Sequence, residues 1–135
     1  MGGHPSVVQV MHEVLDQYGS CSGGSRNISG HNQWAEALER SIAKLHQKYA
    51  ALTFTSGYVA NESALGVLGS HLPGCVFFSD ESNHSSLIEG IKKSKASKVV
   101  WRHNDLLDLE RRLSSVPVKT PKVVVFESIY SMCGE

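Results

Sequence analysis

The sequence predicts an α/β protein with a mostly parallel sheet flanked by helices. Two observations lead there. The runs "CVFF", "KVVW" and "KVVVF" are rich in Val and Phe and have the length of short strands. Between them lie stretches of roughly ten to fifteen residues whose apolar side chains recur at helical spacing. A chain that returns through a helix between successive strands lays those strands side by side in the same direction.

The elements follow in order. Pro5 to Tyr18 carries Val7, Val8, Val10, Met11, Val14 and Leu15 at helical spacing, and Gly19 can stop the helix. "GSCSGGSRNISG", Gly19 to Gly30, is Gly/Ser-rich with few apolar anchors and reads as a loop. A second helix is expected from Asn32 to Tyr49, with Trp34, Leu38, Ile42 and Leu45 on one face and Asn32 as its cap. Ala51 to Thr55 reads as a strand and Val59 to Leu68 as a helix. Pro73 and Gly74 mark a turn before the strand in "LPGCVFFSD". Ser85 to Ser94 is helical with Leu87, Ile88 and Ile91 inward, and "KVVWR" is a strand. Asp105 to Leu113 is a helix, and "KVVVFES" is the last strand.

No internal repeat, low-complexity segment or linker interrupts the 135 residues, which are enough for one domain with a core. Both ends look cut. Met1 runs straight into a helix, and the chain halts at "SIYSMCGE", just after a strand. The expectation is an internal fragment, residues 1–135 forming a single incomplete α/β domain.

Composition excludes several classes of function. Lys plus Arg and Asp plus Glu both number 13, so no basic excess marks a nucleic-acid binder. The longest apolar runs are strand-sized, so no membrane span is expected. The N-terminus "MGGHPSVVQV" has neither a signal nor a transit pattern. Three cysteines, Cys21, Cys75 and Cys133, are odd in number and far apart. No C-x-x-C or H-E-x-x-H occurs, so neither a disulfide framework nor a metal site is expected. The sequons at Asn27, Asn61 and Asn83 are read as unglycosylated.

Candidate chemistry gathers where strands meet helices. Ser56 and Gly57 stand before a helix, where unpaired backbone N–H groups and the helix dipole attract anions. A tight turn explains the same pair equally well. No G-x-x-x-x-G-K-[ST] and no G-x-G-x-x-G occurs, so the usual nucleotide loops are excluded. His84, in "SDESNHSSLIEG", follows an apolar strand directly, and "FESIYSM" places Glu127, Ser128 and Ser131 beyond the last one. Hydroxyls, an imidazole and a phosphate-compatible backbone on one rim suit a planar phosphate ester better than a metal. The basic run "IKKSKASK" is either a solvated helix end or the path of a phosphate-rich ligand. "LERRLSS" reads as an exposed helix face.

In this order, "GGSRNISG", "LHQKYAALTFTSGYVAN", "LPGC…SDESNHSSLIEGI", "WRHND" and "FESIYSM" resemble the α-oxoamine synthases, which are fold-type I pyridoxal-phosphate enzymes. The likeness spans nearly the whole chain, and "RNISG" and "RHND" look like the 5-aminolevulinate synthase branch. The resemblance implies part of the large domain of a PLP-dependent acyltransferase. That branch joins glycine to succinyl-CoA, releasing CoA and carbon dioxide, in the first step of haem biosynthesis. It implies pyridoxal 5'-phosphate as cofactor, cradled by Ser56, Gly57 and Tyr58 and hydrogen-bonded by Ser131. His84 would stack on the pyridine ring and act as the catalytic histidine. Ser25, where the family usually has Thr, would contact the succinyl carboxylate. Ser79 and Lys98 match substrate positions, with Lys98 able to meet a CoA phosphate as a point charge.

The family works as a homodimer, in the mitochondrial matrix of eukaryotes or the cytoplasm of bacteria. Departures accompany the likeness. Cys133 stands where the family usually has an acidic residue. The family's cofactor-bearing lysine and pyridine-pairing aspartate would fall beyond residue 135, so the isolated chain is expected to be inactive. A relative using a different amino acid or acyl-CoA, or a non-catalytic phosphate-binding module, are the alternatives.

Overall fold

A computed structural model describes all 135 residues. They form two compact units, Met1–Thr53 and Phe54–Glu135.

In the first unit, helix α1 spans Pro5–Tyr18, the span its apolar spacing predicts. His4 caps it by accepting the Ser6 N–H, and Gly19 ends it at φ 77°, its N–H bonded to Leu15 O. Its apolar residues Val10, Met11, Leu15 and Tyr18 stay exposed. The expected Gly/Ser loop contains a π-helical turn, Arg26–Gly30. There the Ser25 carbonyl accepts from the N–H groups of Ile28, Ser29 and Gly30 at 3.0, 3.1 and 2.8 Å. The turn needs Gly30, because a Cβ there would lie 1.9 Å from Gly24 O. Helix α2, Gln33–Leu45, starts where Asn32 Oδ1 accepts the N–H groups of Trp34 and Ala35. It stops before Tyr49, because Gln47 takes a left-handed φ of 51° that no helix continues.

Glu39 on α2 fastens the irregular parts of this unit. Arg26 grips both of its oxygens at 2.6 Å, and the carboxylate also accepts from Thr53 N at 2.7 Å and Thr53 Oγ1 at 3.0 Å. The Arg26 hydrogen bonds, followed by the Thr53 N–H, hold the Glu39 carboxyl down to about 2. Ala51–Thr55 is therefore not a strand, contrary to the alternation in its sequence. It has no neighbouring strand, and the Thr53 N–H goes to a side chain instead of a ladder.

The second unit opens with helix α3, Gly57–His71, longer at both ends than its apolar pattern suggests. Strand β1 (Val76–Asp80), helix α4 (Ser85–Ser94), strand β2 (Ser97–Trp101), helix α5 (Leu106–Ser114) and strand β3 (Lys122–Val125) follow. The strands form one sheet in the order β2-β1-β3, parallel throughout. Val76 faces Ser97 on one side and Lys122 on the other. Phe77 and Phe78 on β1 are fully buried, and Cys75, Ile91 and Val125 complete the core with Leu65, Leu72 and Leu87 against it. No helix of the chain is long and apolar enough to cross a membrane.

Two devices hold the helices on this sheet. Helices α3 and α4 cross closely at Gly90, where an added Cβ would lie 2.9 Å from Leu65 Cβ and 3.0 Å from Asn61 O. Buried Asp108 ties α5 to the end of β2, accepting the Arg102 N–H at 3.0 Å and pairing with Arg111 and Arg112. "LERRLSS" is thus more than a solvated face. The Arg102 N–H first, and then Arg111, hold the Asp108 carboxyl down to about 2.

Both devices are testable. Gly90→Ala should force the helices apart and cost about 1–3 kcal/mol, as overpacking does. Gly66→Ala places its Cβ at an ordinary 3.5 Å from the Lys93 side chain. It should leave stability unchanged or raise it by up to about 1 kcal/mol through helix propensity. Thermal unfolding compares the two, and equal effects would disprove a backbone clash at Gly90. For Asp108, a folded value below the ordinary one near 4 means stability present above about pH 4 and lost as pH falls toward 2. Asp108→Asn should lower the urea midpoint at pH 7, with the gap to wild type closing toward pH 2. A gap constant across that range would exclude this role.

Candidate cofactor and active site

The site grows from the N-terminus of α3. Ser56 Oγ accepts the Val59 N–H at 3.2 Å, and Ser56 O accepts the Ala60 N–H at 3.1 Å. The first-turn N–H groups of Gly57 and Tyr58 precede the helical ladder and have no place in it. Gly57 does not adopt a positive φ, and a Cβ built on it would meet no atom within 4 Å. Neither backbone strain nor internal packing requires glycine there. Its absent side chain leaves open space in front of helix-terminal donors, a setting for an anion.

His84, at the N-cap of α4, stands beside this terminus. Its ring meets Tyr58 edge-on, with centroids 6.1 Å apart and planes at 75°. Nδ1 lies 3.2 Å from Ser86 N and 2.8 Å from Ser86 Oγ, so it caps the helix, and Ser86 Oγ in turn accepts from Asn61 on α3. Capping engages Nδ1 alone and leaves Nε2 and the ring face for another partner. The His84 N–H donates to Glu127 Oε1 at 2.5 Å, joining the loop after β1 to the segment after β3.

Asn83 reinforces that joint. Its Nδ2 donates to Val125 O at 2.8 Å and to Ser79 Oγ at 3.0 Å, while Oδ1 is buried without a partner. Because a carbonyl can only accept, the Val125 contact fixes the orientation of the amide. A second polar knot follows β2. Buried Asp80 accepts from Ser82 N, His103 Nδ1 and Asn104 N at 2.8, 2.8 and 3.2 Å. Burial pushes the Asp80 carboxyl up, but these hydrogen bonds together outweigh it and hold the group below its ordinary range. The Asp80 bond first, and then Cys133, raise the His103 imidazole. The Tyr130 ring packs edge-on against His103 at 4.4 Å, and its hydroxyl accepts the Glu127 N–H.

The residues expected from sequence fall into three groups. Ser56, Gly57, Tyr58 and His84 come together with Glu127. Ser131 is exposed in the turn after β3, next to buried Tyr130. Ser79 is buried, its hydroxyl donating to Asp80 O and accepting from Asn83. It shares a cavity of about 70 Å³ with Lys98, Val100, Ile88 and Ile91. Ser25 belongs to the other unit, exposed at the start of the π-helical turn. In the basic run, Lys92 pairs with Glu89 and Lys93 with Glu62, as solvated helix residues do. Sequence reasoning missed Asn83, Asp80, His103 and Tyr130. The polar density of "SDESNH" signals the region, but not which members are held across the sheet.

The chain has close relatives. The mitochondrial 5-aminolevulinate synthase of Yarrowia lipolytica is 60% identical over 134 residues, 99% of this chain and 24% of that protein. The 5-aminolevulinate synthase of Rhizobium meliloti is 49% identical over 135 residues, 100% of this chain and 33% of that protein. The chain thus spans about a quarter to a third of these relatives. Among solved structures, serine palmitoyltransferase from S. paucimobilis with a bound PLP-myriocin aldimine superposes with a TM-score of 0.92 at 31% identity, covering 98% of this chain and 34% of that one. The 8-amino-7-oxononanoate synthase of Francisella tularensis shares the fold at a TM-score of 0.74 and 22% identity, over 99% of this chain and 36% of that one. The family model described as "Aminotransferase class I and II" matches residues 1–135, and the chain belongs to that family.

Proposed function

We propose that this chain is part of the pyridoxal-phosphate-binding large domain of a 5-aminolevulinate synthase. The full-length enzyme condenses glycine with succinyl-CoA to give 5-aminolevulinate, CoA and carbon dioxide. The observation that carries this reading is the open, glycine-made space before the free N–H groups of α3, with His84 beside it. The identity of the relatives supports the choice of reaction, at 49–60% against 31% for the serine palmitoyltransferase. Homodimerisation, and a mitochondrial matrix location in a eukaryotic source, belong to the same proposal.

The residues present fit the cofactor. Its phosphate is a dianion of the size that helix-terminal N–H groups bind, and the Ser56 hydroxyl can add a donor. When bound, pyridoxal phosphate supplies an electron-withdrawing ring that stabilises negative charge on the glycine α-carbon. His84 offers a flat imidazole face to set the ring's tilt and exclude water, with Nε2 available as a hydrogen-bonding group. The Glu127 bond on the His84 N–H fixes where that ring stands. The unpartnered Asn83 Oδ1 is a buried acceptor at the same rim. Ser131 is the proposed hydroxyl contact to the cofactor, and Ser25, Ser79 and Lys98 are the proposed substrate contacts of the full-length enzyme.

Two substitutions in the full-length enzyme separate binding from folding. Gly57→Ala fills space that nothing in the chain occupies. Its thermal stability without cofactor should stay within about 1 kcal/mol of wild type, while its affinity for pyridoxal phosphate falls. Equal affinity in a spectroscopic titration would remove α3 from the site. His84→Asn keeps a good helix cap but removes the ring. Stability should be retained, whereas the absorbance of the bound cofactor shifts and 5-aminolevulinate formation drops. A wild-type spectrum in His84→Asn would reduce His84 to its capping role.

A further inference from the structure

The turn that follows β3 curls back onto the loop that follows β2. Tyr130 N donates to Glu135 O at 2.9 Å and Gly134 N to Tyr130 O at 2.8 Å, with Gly134 at φ 77° turning the chain. The closed turn brings Cys133 and Glu135 round to His103. The imidazole Nε2 lies 3.8 Å from Cys133 Sγ and 3.5 Å from Glu135 Oε2, and all three donor atoms lie within 4.8 Å of one another.

We propose that His103, Cys133 and Glu135 form a binding site for a divalent cation of zinc's borderline-soft class. The spacing suits a tetrahedral ion. With metal–sulfur near 2.3 Å and metal–nitrogen or –oxygen near 2.0–2.2 Å, the edges of a tetrahedral site come to about 3.3–3.7 Å. Two of the donor separations already approach those edges. An imidazole, a thiolate and one carboxylate select zinc over magnesium or calcium, which prefer oxygen alone.

The imidazole is held as a ligating histidine needs to be. Its Nδ1 donates to buried Asp80 at 2.8 Å, which fixes the tautomer and turns the Nε2 lone pair toward Cys133 and Glu135. Tyr130 packs edge-on against the ring, and the His103 N–H is taken by Glu81 at 2.9 Å. Asn104 Nδ2 also approaches, at 3.4 Å from both His103 Nε2 and Glu135 Oε2, and must yield when the ion arrives. A water can take the fourth position. Binding forms a metal–sulfur bond and releases the Cys133 thiol proton to solvent, with no change of oxidation state. This site stands whatever reaction the neighbouring rim performs.

The test uses the full-length protein with zinc alone, competed against a chromophoric chelator, and with cobalt(II) as a spectroscopic substitute. One equivalent of zinc should bind. Cobalt should give a thiolate charge-transfer band with the intense visible bands of tetrahedral coordination. Loss of a partner behind a ligating histidine costs about 10–100-fold in metal affinity, and loss of a ligand should cost at least that. Cys133→Ser should therefore weaken zinc by more than about 10-fold and abolish the charge-transfer band. Glu135→Gln should weaken zinc while keeping the band. Cys21→Ser, at the other exposed thiol, should change neither. Circular dichroism should be unaltered throughout, which separates loss of the metal from loss of the fold. Absence of stoichiometric binding, or wild-type affinity in Cys133→Ser, would overturn the proposal.

Discussion

Strand β1 is hydrogen-bonded along both of its edges, and the register of those two ladders decides where every rim residue emerges. Asp80 is level with Trp101 on β2, and Ser79 with Val125 on β3, so the three carboxyl ends lie at one height. Burial of Phe77 and Phe78 on opposite faces of β1 holds that register, each ring contributing about 1.5–3 kcal/mol. A slip by one residue would exchange the two faces of β1 and take each ring out of the packing formed around it. In open parallel sheets, the loops that leave the carboxyl ends are where ligands bind. Here the loop after β1 carries Asn83 and His84, the loop after β2 carries His103, and the segment after β3 carries Glu127 and Ser131.

Polar side chains join these loops where the ladders have ended. Asn83 reaches the Val125 carbonyl, Glu127 reaches the His84 N–H, and Asp80 gathers the loop after β2 through His103 and Asn104. The first satisfies the carbonyl at the end of β3 and the others satisfy N–H groups of the loops, so rigidity and hydrogen-bond satisfaction are reached together. His84 combines two tasks because imidazole has two nitrogens. Nδ1 closes the first turn of α4, which fixes the ring beside Tyr58 at the terminus of α3 and leaves Nε2 uncommitted.

Three glycines differ in what stands where a side chain would be. At Gly30 the neighbouring backbone occupies the place of a side chain, and at Gly90 an adjacent helix does. At Gly57 nothing does. The first two are explained by the chain's own packing. The third leaves a space at a helix terminus that a phosphate-bearing ligand would explain, which is why the functional reading rests on Gly57 and not on the glycine content as a whole.

By itself the sequence determined the elements whose reasons are local. The apolar spacing of Pro5–Tyr18 and Ser85–Ser94 predicted those helices to the residue, and Asn32 was legible as a cap. The parallel sheet followed from alternation, and Ser56, Gly57 and His84 stood out because each stands at a helix start. Tertiary structure alone decided what depends on a distant partner. Ala51–Thr55 has a strand's pattern but no neighbouring strand, and Glu39 takes the Thr53 N–H that a ladder would need. Arg111 and Arg112 look solvated until Asp108 is seen buried behind the end of β2. His103 and Cys133 show no ligand spacing because thirty residues separate them, and only the parallel register and the turn at Gly134 bring their atoms together. Periodicity records which face of an element is apolar. It carries no record of which side chain lies across a sheet from which other, because that is fixed by register and closure.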